Sequence, residues 1–209
     1  TLKLCVSCKA CRRECPTGVD MARMKIEVLA ARAERFELSL HDKLVGFLPH
    51  YAPYAVRWHR LFNMRNGNGL FRKASEVIAG FSSRRSLPKW RSDTYRDRSD
   101  WRYTDRDGNT STREVVLFAD TFNRYFEREN LDDALRVLVA AGYRVYAPLP
   151  PDPNERPLCC GRTFLAVGLV EEARREMQRT LDALAPYVRR GIPVVGLEPS
   201  CLLTFRDEL

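Results

Sequence analysis

The chain has 209 residues, of which 44% are hydrophobic, and its formal net charge is +8. This length suits one medium domain or two small ones, and the hydrophobic content permits a globular core. Its seven cysteines include four within eleven residues and one adjacent pair. That clustering argues against a secreted disulfide scaffold and favours a reducing, cytoplasmic setting. No stretch resembles the apolar region of a signal peptide or a membrane span.

Four cysteines at the start of the chain have the spacing C-x2-C-x2-C-x3-C-P, which is typical of the bacterial ferredoxin run that binds a [4Fe–4S] cluster. The two-residue gaps let one tight loop direct three thiolates to three irons of one cube. The three-residue gap and the proline turn the fourth thiolate toward a second cluster. A zinc knuckle is the alternative, but zinc sites usually combine two separated pairs, or a pair and histidines. The run predicts four metal ligands, Cys5, Cys8, Cys11 and Cys15.

The residues after this run predict helices. Asp20 is expected to cap a helix that runs to about Leu40. A cluster loop that opens onto a long helix suits a helical ferredoxin. We therefore predict a ferredoxin-like segment at 1–45, the second half of a two-cluster domain whose other run lies upstream of Thr1. Residues 46–112 are predicted to be a helical and polar connector, solvated from Arg91 to Glu114.

Beyond Arg113, short apolar strands alternate with helices. Strands are predicted at 115–118, 143–147 and 193–197, with helices that begin at Asn130 and at Gly168. This alternation is typical of an α/β domain with a parallel sheet. The predicted fold class is α+β overall, with an N-terminal helical ferredoxin-like segment and an α/β domain at 113–209.

The other three cysteines lie beside these predicted strands and helices. Cys159 and Cys160 precede the long helix, and Cys201 follows the third strand. Asp120 follows the first strand and Glu198 follows the third. Because sites in parallel α/β folds gather at the carboxyl ends of strands, these five side chains are expected to converge. The alternative is that the thiols are small hydrophobic residues of the core.

Motifs at both ends of the chain resemble the iron–sulfur part of the FAD-linked 2-hydroxyacid dehydrogenases, of the D-lactate and D-2-hydroxyglutarate type. The matching residues are the cysteine run with Gly18-Val19-Asp20-Met21, then Cys159-Cys160-Gly161, then Glu198-Pro199-Ser200-Cys201. The stretch between them matches only loosely. Related pieces occur in the glycolate oxidase iron–sulfur subunit and in heterodisulfide reductase.

The resemblance implies an FAD-binding domain in the same polypeptide, where flavin takes a hydride from a 2-hydroxy acid. Electrons would then pass singly through [4Fe–4S] clusters to an acceptor, either a quinone or a carrier protein. It also implies that this chain is part of such an oxidoreductase, truncated before a second Cys-Cys-Gly module, and does not turn over substrate alone. We see no glycine-rich phosphate loop and no acid–base pair, so no catalytic or FAD-binding residue is predicted here.

Two positions depart from the complete Cys-Cys-Gly module, which has a cysteine after its first strand and closes with C-x-x-C. Asp120 and Thr204 stand at these positions, so a complete non-cubane cluster is not expected. The three thiols would hold a metal with Asp120, Glu198 or the second module, or would line a site for a quinone or redox partner.

Two other interpretations stay open. One is a stand-alone iron–sulfur subunit of the glycolate oxidase or glycerol-phosphate dehydrogenase type. The other is a zinc-stabilised basic module that contacts nucleic acid, which would need a basic stripe and stacking aromatic residues on one face. The basic residues do not concentrate on one predicted helix face, so no nucleic-acid partner is expected. The predicted location is the cytoplasm, with peripheral attachment to the inner membrane face as an alternative.

Overall fold

The computed structural model describes residues 5–97, 113–152 and 154–207. The amino-terminal part is helical: α1 (Ala10–Glu14), α2 (Met21–Arg35), α3 (Leu40–Gly46), α4 (Leu48–Ala55), a 3-10 turn (Val56–Trp58), α5 (His59–Gly67) and α6 (Gly69–Ala79). The second part alternates: β1 (Arg113–Phe118), α7 (Thr121–Tyr125), α8 (Arg128–Ala140), β2 (Tyr143–Tyr146), α9 (Arg162–Ala166), α10 (Val170–Arg189), β3 (Val194–Gly196) and α11 (Pro199–Asp207). The predicted α+β class is confirmed.

Helix α2 begins where the sequence predicts. The Asp20 side chain accepts a hydrogen bond from the Arg23 backbone N–H at 3.0 Å and so satisfies one of the unpaired donors of the first turn. The helix ends at Arg35, five residues short of the predicted end at Leu40. The reason is a second cap, because Ser39 Oγ accepts from the Asp42 N–H at 3.1 Å and starts α3.

The three strands form one parallel sheet in the order β2-β1-β3. Val115 lies opposite Val145 on one side of β1, and Phe118 lies opposite Gly196 on the other. The central strand β1 is buried from Val115 to Phe118, as expected for a parallel strand covered by helices on both faces. All three strands lie within one residue or two of their predicted bounds, and their carboxyl ends meet at one edge.

The helical part and the α/β part share a hydrophobic cluster. Ile26 of α2 and Phe47 pack against Phe164 and Leu165 of α9, and the rings of Phe47 and Phe164 meet edge to face at 5.4 Å. The domain boundaries at 45 and 112 stay predictions, and this shared cluster joins the first segment directly to the last.

The prediction that residues from Arg91 to Glu114 form a solvated connector is wrong at Tyr95. Tyr95 is buried in the core beside Val115 and Leu117, and its N–H donates to the Arg124 carbonyl at 3.1 Å. A large aromatic ring stabilises the fold more when it is buried than when it is solvated. Residues 98–112 of the predicted connector lie outside the described residues. Among the helices that the structure describes, none has the length and apolarity needed to cross a membrane.

Candidate metal centre and thiol cluster

The cysteine run forms an exposed loop that leads through the short helix α1 to the start of α2. Cys8 is exposed, and Cys5, Cys11 and Cys15 are half-buried. The residues on either side of Cys8 have positive φ angles, 57° at Ser7 and 58° at Lys9. A residue other than glycine in this region costs roughly 1–2 kcal/mol, so surrounding contacts must hold the loop in this shape.

Two lysines make such contacts. Lys25 on α2 donates to the carbonyl oxygen of Cys5 at 2.7 Å. Lys9 donates to the carbonyl oxygen of Asp207, near the end of α11, at 3.1 Å. The loop is therefore fastened to α2 on one side and to the α/β part on the other.

Hydrogen-bond donors face two of the loop sulfurs. The Met21 N–H, in the first turn of α2, donates to Cys11 Sγ at 3.4 Å. The Thr17 hydroxyl lies 3.1 Å from Cys15 Sγ. Hydrogen bonds from the Thr17 side chain, and then from the backbone N–H groups of Val19 and Thr17, lower the pKa of Cys15 to about 7. Donors of this kind stabilise the thiolate, which is the form that ligates a metal.

A small cavity of about 130 Å³ separates this loop from α9. Cys5 and Ser7 line one side, and Leu165 lines the other. The side chains of Lys25 and Arg162 also line it, so two cationic residues adjoin the thiol loop. Arg162 is the first residue of α9 and directly follows the Cys159-Cys160-Gly161 triplet, so the cavity connects the cysteine loop with the start of α9.

A single metal ion and an iron–sulfur cluster require different arrangements of their ligands. Among residues 5–97, 113–152 and 154–207, no three His, Cys, Asp or Glu side chains are arranged to hold one metal ion. Ligands of a cube bind separate irons, so they need not converge on one point. Hydrogen-bond donors adjoin two of the four sulfurs, those of Cys11 and Cys15, and the assignment of Cys5, Cys8, Cys11 and Cys15 as metal ligands stays a prediction.

The structure brings the other three cysteines together. Cys159, Cys160 and Cys201 lie in one buried cluster with Phe118, the last residue of β1. Each thiol-bearing residue is only 2–3% exposed. The expected convergence at the carboxyl edge of the sheet is therefore observed for the thiols, because the loops that follow parallel strands meet at this edge.

Contacts within this cluster raise the pKa of two of its thiols, Cys159 and Cys160. A hydrogen bond with Cys160, together with burial, raises the pKa of Cys159 well above its usual value. The hydrogen bond with Cys159 lowers the pKa of Cys160, but the bond with Cys201 and burial outweigh it, so this pKa is raised as well. Neutral thiols packed on aromatic and aliphatic groups behave as small hydrophobic residues. Metal binding by these three thiols stays a prediction.

The two predicted carboxylates bind backbone groups nearby. Asp120 Oδ1 accepts from the N–H groups of Phe122 and Asn123 at 2.9 and 3.0 Å, and its Oδ2 accepts from the Asn123 side chain at 2.7 Å. Glu198 Oε1 accepts from the N–H and the hydroxyl of Ser200 at 3.2 and 2.7 Å. Both act as helix caps, for α7 and α11 respectively.

Thr204, which stands where the complete Cys-Cys-Gly module would have its last cysteine, also makes a hydrogen bond. Thr204 is fully buried, and its hydroxyl donates to the Ser200 carbonyl at 2.7 Å. A hydroxyl bonded back along its own helix satisfies its hydrogen-bonding needs locally. Position 204 therefore serves the structure of α11 in this chain.

Steric constraints explain why the third residue of the Cys-Cys-Gly triplet is a glycine. Gly161 has φ +81°, and a Cβ there would lie 2.7 Å from the Ala173 carbonyl oxygen of α10. Only glycine combines this backbone shape with so close an approach. Gly161 thus lets the chain turn from the thiol cluster into α9 while it passes close to α10.

Sequence reasoning missed the side chains that hold this loop. Thr180 donates to the Cys159 carbonyl at 2.7 Å, and Arg179 donates to the carbonyls of Arg156 and Pro157, both at 2.9 Å. The buried Glu176 pairs with both Arg156 and Arg179. Their spacing on α10 resembles that of any amphipathic helix, so no sequence signal marks them. Arg162 was missed too, although its position beside the triplet was a usable signal.

The comparisons with known proteins point first to a class, the dehydrogenases. No protein-family model and no solved structure matches the chain. The chain is 27% identical to the D-2-hydroxyglutarate dehydrogenase of Escherichia coli K12, 28% identical to that of Pseudomonas putida and 21% identical to that of Haemophilus influenzae. Each similarity covers 98% of this chain and 20% of the relative. The expected resemblance to 2-hydroxyacid dehydrogenases of this type is confirmed, and the chain spans a fifth of the length of these curated relatives.

Proposed function

We propose that this chain is the electron-relay part of a longer FAD-linked dehydrogenase that oxidises a 2-hydroxy acid. The observation that carries the proposal is the cysteine run, whose loop is strained around Cys8 and supplied with donors to sulfur. Similarity to D-2-hydroxyglutarate dehydrogenases supports the reaction class. Because those relatives are much longer than this chain, it also favours a fused polypeptide over a stand-alone subunit.

In this proposal Cys5, Cys8 and Cys11 ligate one [4Fe–4S] cluster, and Cys15 ligates a neighbouring one. A bound cluster supplies one-electron transfer. The chain's own residues position the ligands: Lys25 holds the backbone at Cys5, and the Met21 N–H supports the Cys11 sulfur. The cations that line the cavity beside Cys5 would offset negative charge on a cluster, because opposite charges attract strongly where water is scarce.

The remaining parts of the reaction belong to the longer protein. FAD would be bound there, would accept the hydride from the 2-hydroxy acid and would pass electrons to the clusters. The acceptor is proposed to be a quinone or a carrier protein, and the location the cytoplasm, with peripheral attachment to the inner membrane face as the alternative. The boundaries at 45 and 112 are proposed as the limits of the ferredoxin-like segment and the connector.

The test is a Cys8→Ser variant of the longer protein, prepared without oxygen. Loss of the Cys8 thiolate should remove one cluster, lowering the iron and sulfide content by one cluster and removing one signal from the electron paramagnetic resonance spectrum of the reduced protein. Flavin reduction by the hydroxy acid should persist, because flavin lies outside this chain. A Cys201→Ala variant is the matched control and should keep both [4Fe–4S] clusters assigned to the run, because Cys201 lies outside it. Unchanged iron in Cys8→Ser would contradict the assignment.

A further inference from the structure

Helix α5 contacts residues 81–90 mainly through polar side chains, with one ring contact between Phe62 and Trp90 at 6.2 Å. Asn63 donates to the Trp90 carbonyl at 2.8 Å and accepts from the Trp90 N–H at 2.9 Å. Asn66 makes the same pair of bonds with Leu87, at 2.7 and 3.0 Å. The inward face of α5 is therefore a row of amides that binds the backbone of residues 81–90.

A buried arginine joins α5 to α6. Arg65 is 8% exposed, and its Nε donates to Ser75 Oγ on α6 at 2.6 Å. Its other nitrogens donate to the carbonyls of Phe81, Ser82 and Arg85. The contact between the two helices is thus polar as well.

The apolar side chains of both helices point outward. On α6, Leu70, Val77 and Ile78 are 73%, 86% and 70% exposed. Positions 70, 74, 77 and 78 fall on one face of an α-helix, and none of the residues of α6 is buried. On and beside α5 the exposed apolar side chains include Trp58, Leu61, Phe62 and Met64. The arrangement reverses the usual one, in which the apolar face of a helix packs on the core.

Charge is concentrated in the same region. Residues 54–90 contain eight lysines and arginines and one acidic residue, Glu76, so they carry nearly all of the net charge of +8. The same segment exposes basic residues as well as apolar ones, among them Lys73, Arg84 and Arg85. An exposed apolar patch with a polar rim marks an interaction site, and this rim favours a partner surface that carries carboxylates.

We propose that the outward face of α5 and α6, defined by Leu61, Met64, Leu70, Val77 and Ile78, docks onto the flavin-binding part of the longer polypeptide. This inference rests on the proposed function. The occupant would be an apolar surface rimmed by aspartates and glutamates. The length of the relatives supports this occupant, because this chain spans only 20% of the relative that it matches in Escherichia coli. Most of such a polypeptide is therefore available to cover the face.

The first experiment is hydroxyl-radical footprinting, read by mass spectrometry, of this 209-residue chain and of the longer protein. Oxidation of Met64, Leu70, Val77 and Ile78 should fall several-fold in the longer protein, because docking excludes water from them. Val137 on α8 is 66% exposed in the α/β part and serves as the internal control, with equal oxidation in both. Equal oxidation of the α6 residues in both proteins would overturn the proposal.

The second experiment compares Val77→Asp with the control Val137→Asp in the longer protein. A carboxylate at position 77 should detach the face, so that stopped-flow absorbance shows slower electron transfer from flavin to clusters at an unchanged rate of flavin reduction. Val137→Asp should leave both rates unchanged. If the unmodified protein holds no cluster, the proposed function fails; if clusters are present and Val77→Asp transfers electrons normally, only the docking proposal fails.

Other occupants give different results, and each would overturn this proposal. A bilayer would show as protection that appears only when vesicles of phosphatidylglycerol and phosphatidylethanolamine are added to the longer protein. A second copy of this chain would show as protection of the isolated chain that rises with its concentration.

Discussion

At the scale of single residues, the same side chain has two chemistries in this molecule. Donors from Thr17 and the neighbouring backbone lower the pKa of the half-buried Cys15 thiol to about 7. Contact with Cys160 and burial raise the pKa of Cys159. Reactivity of a cysteine depends on its thiolate fraction and its exposure. The loop thiols should therefore react much faster than the clustered thiols.

We expect alkylation of the reduced, metal-free chain by iodoacetamide at neutral pH to modify the four loop cysteines and to spare Cys159, Cys160 and Cys201. All seven should react once the chain is unfolded in guanidinium chloride. Intact-mass and peptide mass spectrometry would count and place the adducts. Labelling of Cys201 in the native chain as fast as Cys8 would show that the thiol cluster opens to solvent, as an open metal or quinone site requires.

At the scale of elements, α10 holds the Cys-Cys-Gly loop through a buried ion network. The Glu176 carboxylate, 2% exposed, binds Arg156 and Arg179. Burial alone raises the pKa of Glu176, but hydrogen bonding and charge from Arg156, and then from Arg179, outweigh it, so this pKa lies below its usual value. The charged carboxylate therefore stabilises the folded state.

The Glu176→Gln variant should lower the free energy of unfolding by roughly 3 kcal/mol at neutral pH, because it leaves two arginines without their buried partner. A depressed pKa contributes stability above the ordinary value of 4.5, and this stability is lost as pH falls through the lower pKa of the folded state. The difference in unfolding free energy between wild type and Glu176→Gln should therefore shrink as the pH falls from 4.5 through the pKa of the folded state. Urea denaturation at a series of pH values measures it.

The matched control is Glu171→Gln on the same helix, where Glu171 pairs with Arg174 in an exposed position. Exposed pairs contribute less than about 1 kcal/mol, so this variant should change stability little at any pH. If the two variants have the same effect, the buried network does not hold the loop.

At the scale of the whole molecule, one close approach joins the helical and α/β parts. Gly168, just before α10, has φ +86°, and a Cβ there would lie 2.4 Å from the carbonyl carbon and oxygen of Leu29 on α2. Backbone atoms cannot move aside as a flexible side chain can. The position of α2, and with it the cysteine loop, depends on this glycine.

We expect Gly168→Ala to destabilise the chain by roughly 1–2 kcal/mol from its left-handed backbone and by roughly 1–3 kcal/mol more from overpacking against α2. Gly191→Ala isolates the first effect, because Gly191 has φ +76° but nothing within 4 Å of a Cβ. Guanidinium unfolding of both variants, followed by circular dichroism, measures the difference. If both variants lose the same free energy of unfolding, α2 moves away from the new methyl group at residue 168 without an energetic cost.

Local patterns in the sequence were enough to predict most elements and the fold class. The Asp20 cap, the apolar runs of the three strands and the alternation of strands with helices depend on neighbouring residues, so they can be read without the fold. The convergence of Cys159, Cys160 and Cys201 also followed, since parallel topology fixes where the loops after strands meet. The end of α2 was predicted too late because a competing cap at Ser39 begins the next helix.

Tertiary packing alone decided the rest. Tyr95 is buried because a distant strand offers it a core surface. The raised pKa values of Cys159 and Cys160 depend on burial and on neighbouring thiols. Polar residues of α5 face inward because carbonyls of residues 81–90 lie there, which no helical periodicity can reveal. The four cysteines of the run are predicted as ligands from their spacing alone. The side chains that hold both cysteine motifs come from segments far apart in the chain and meet only in the fold.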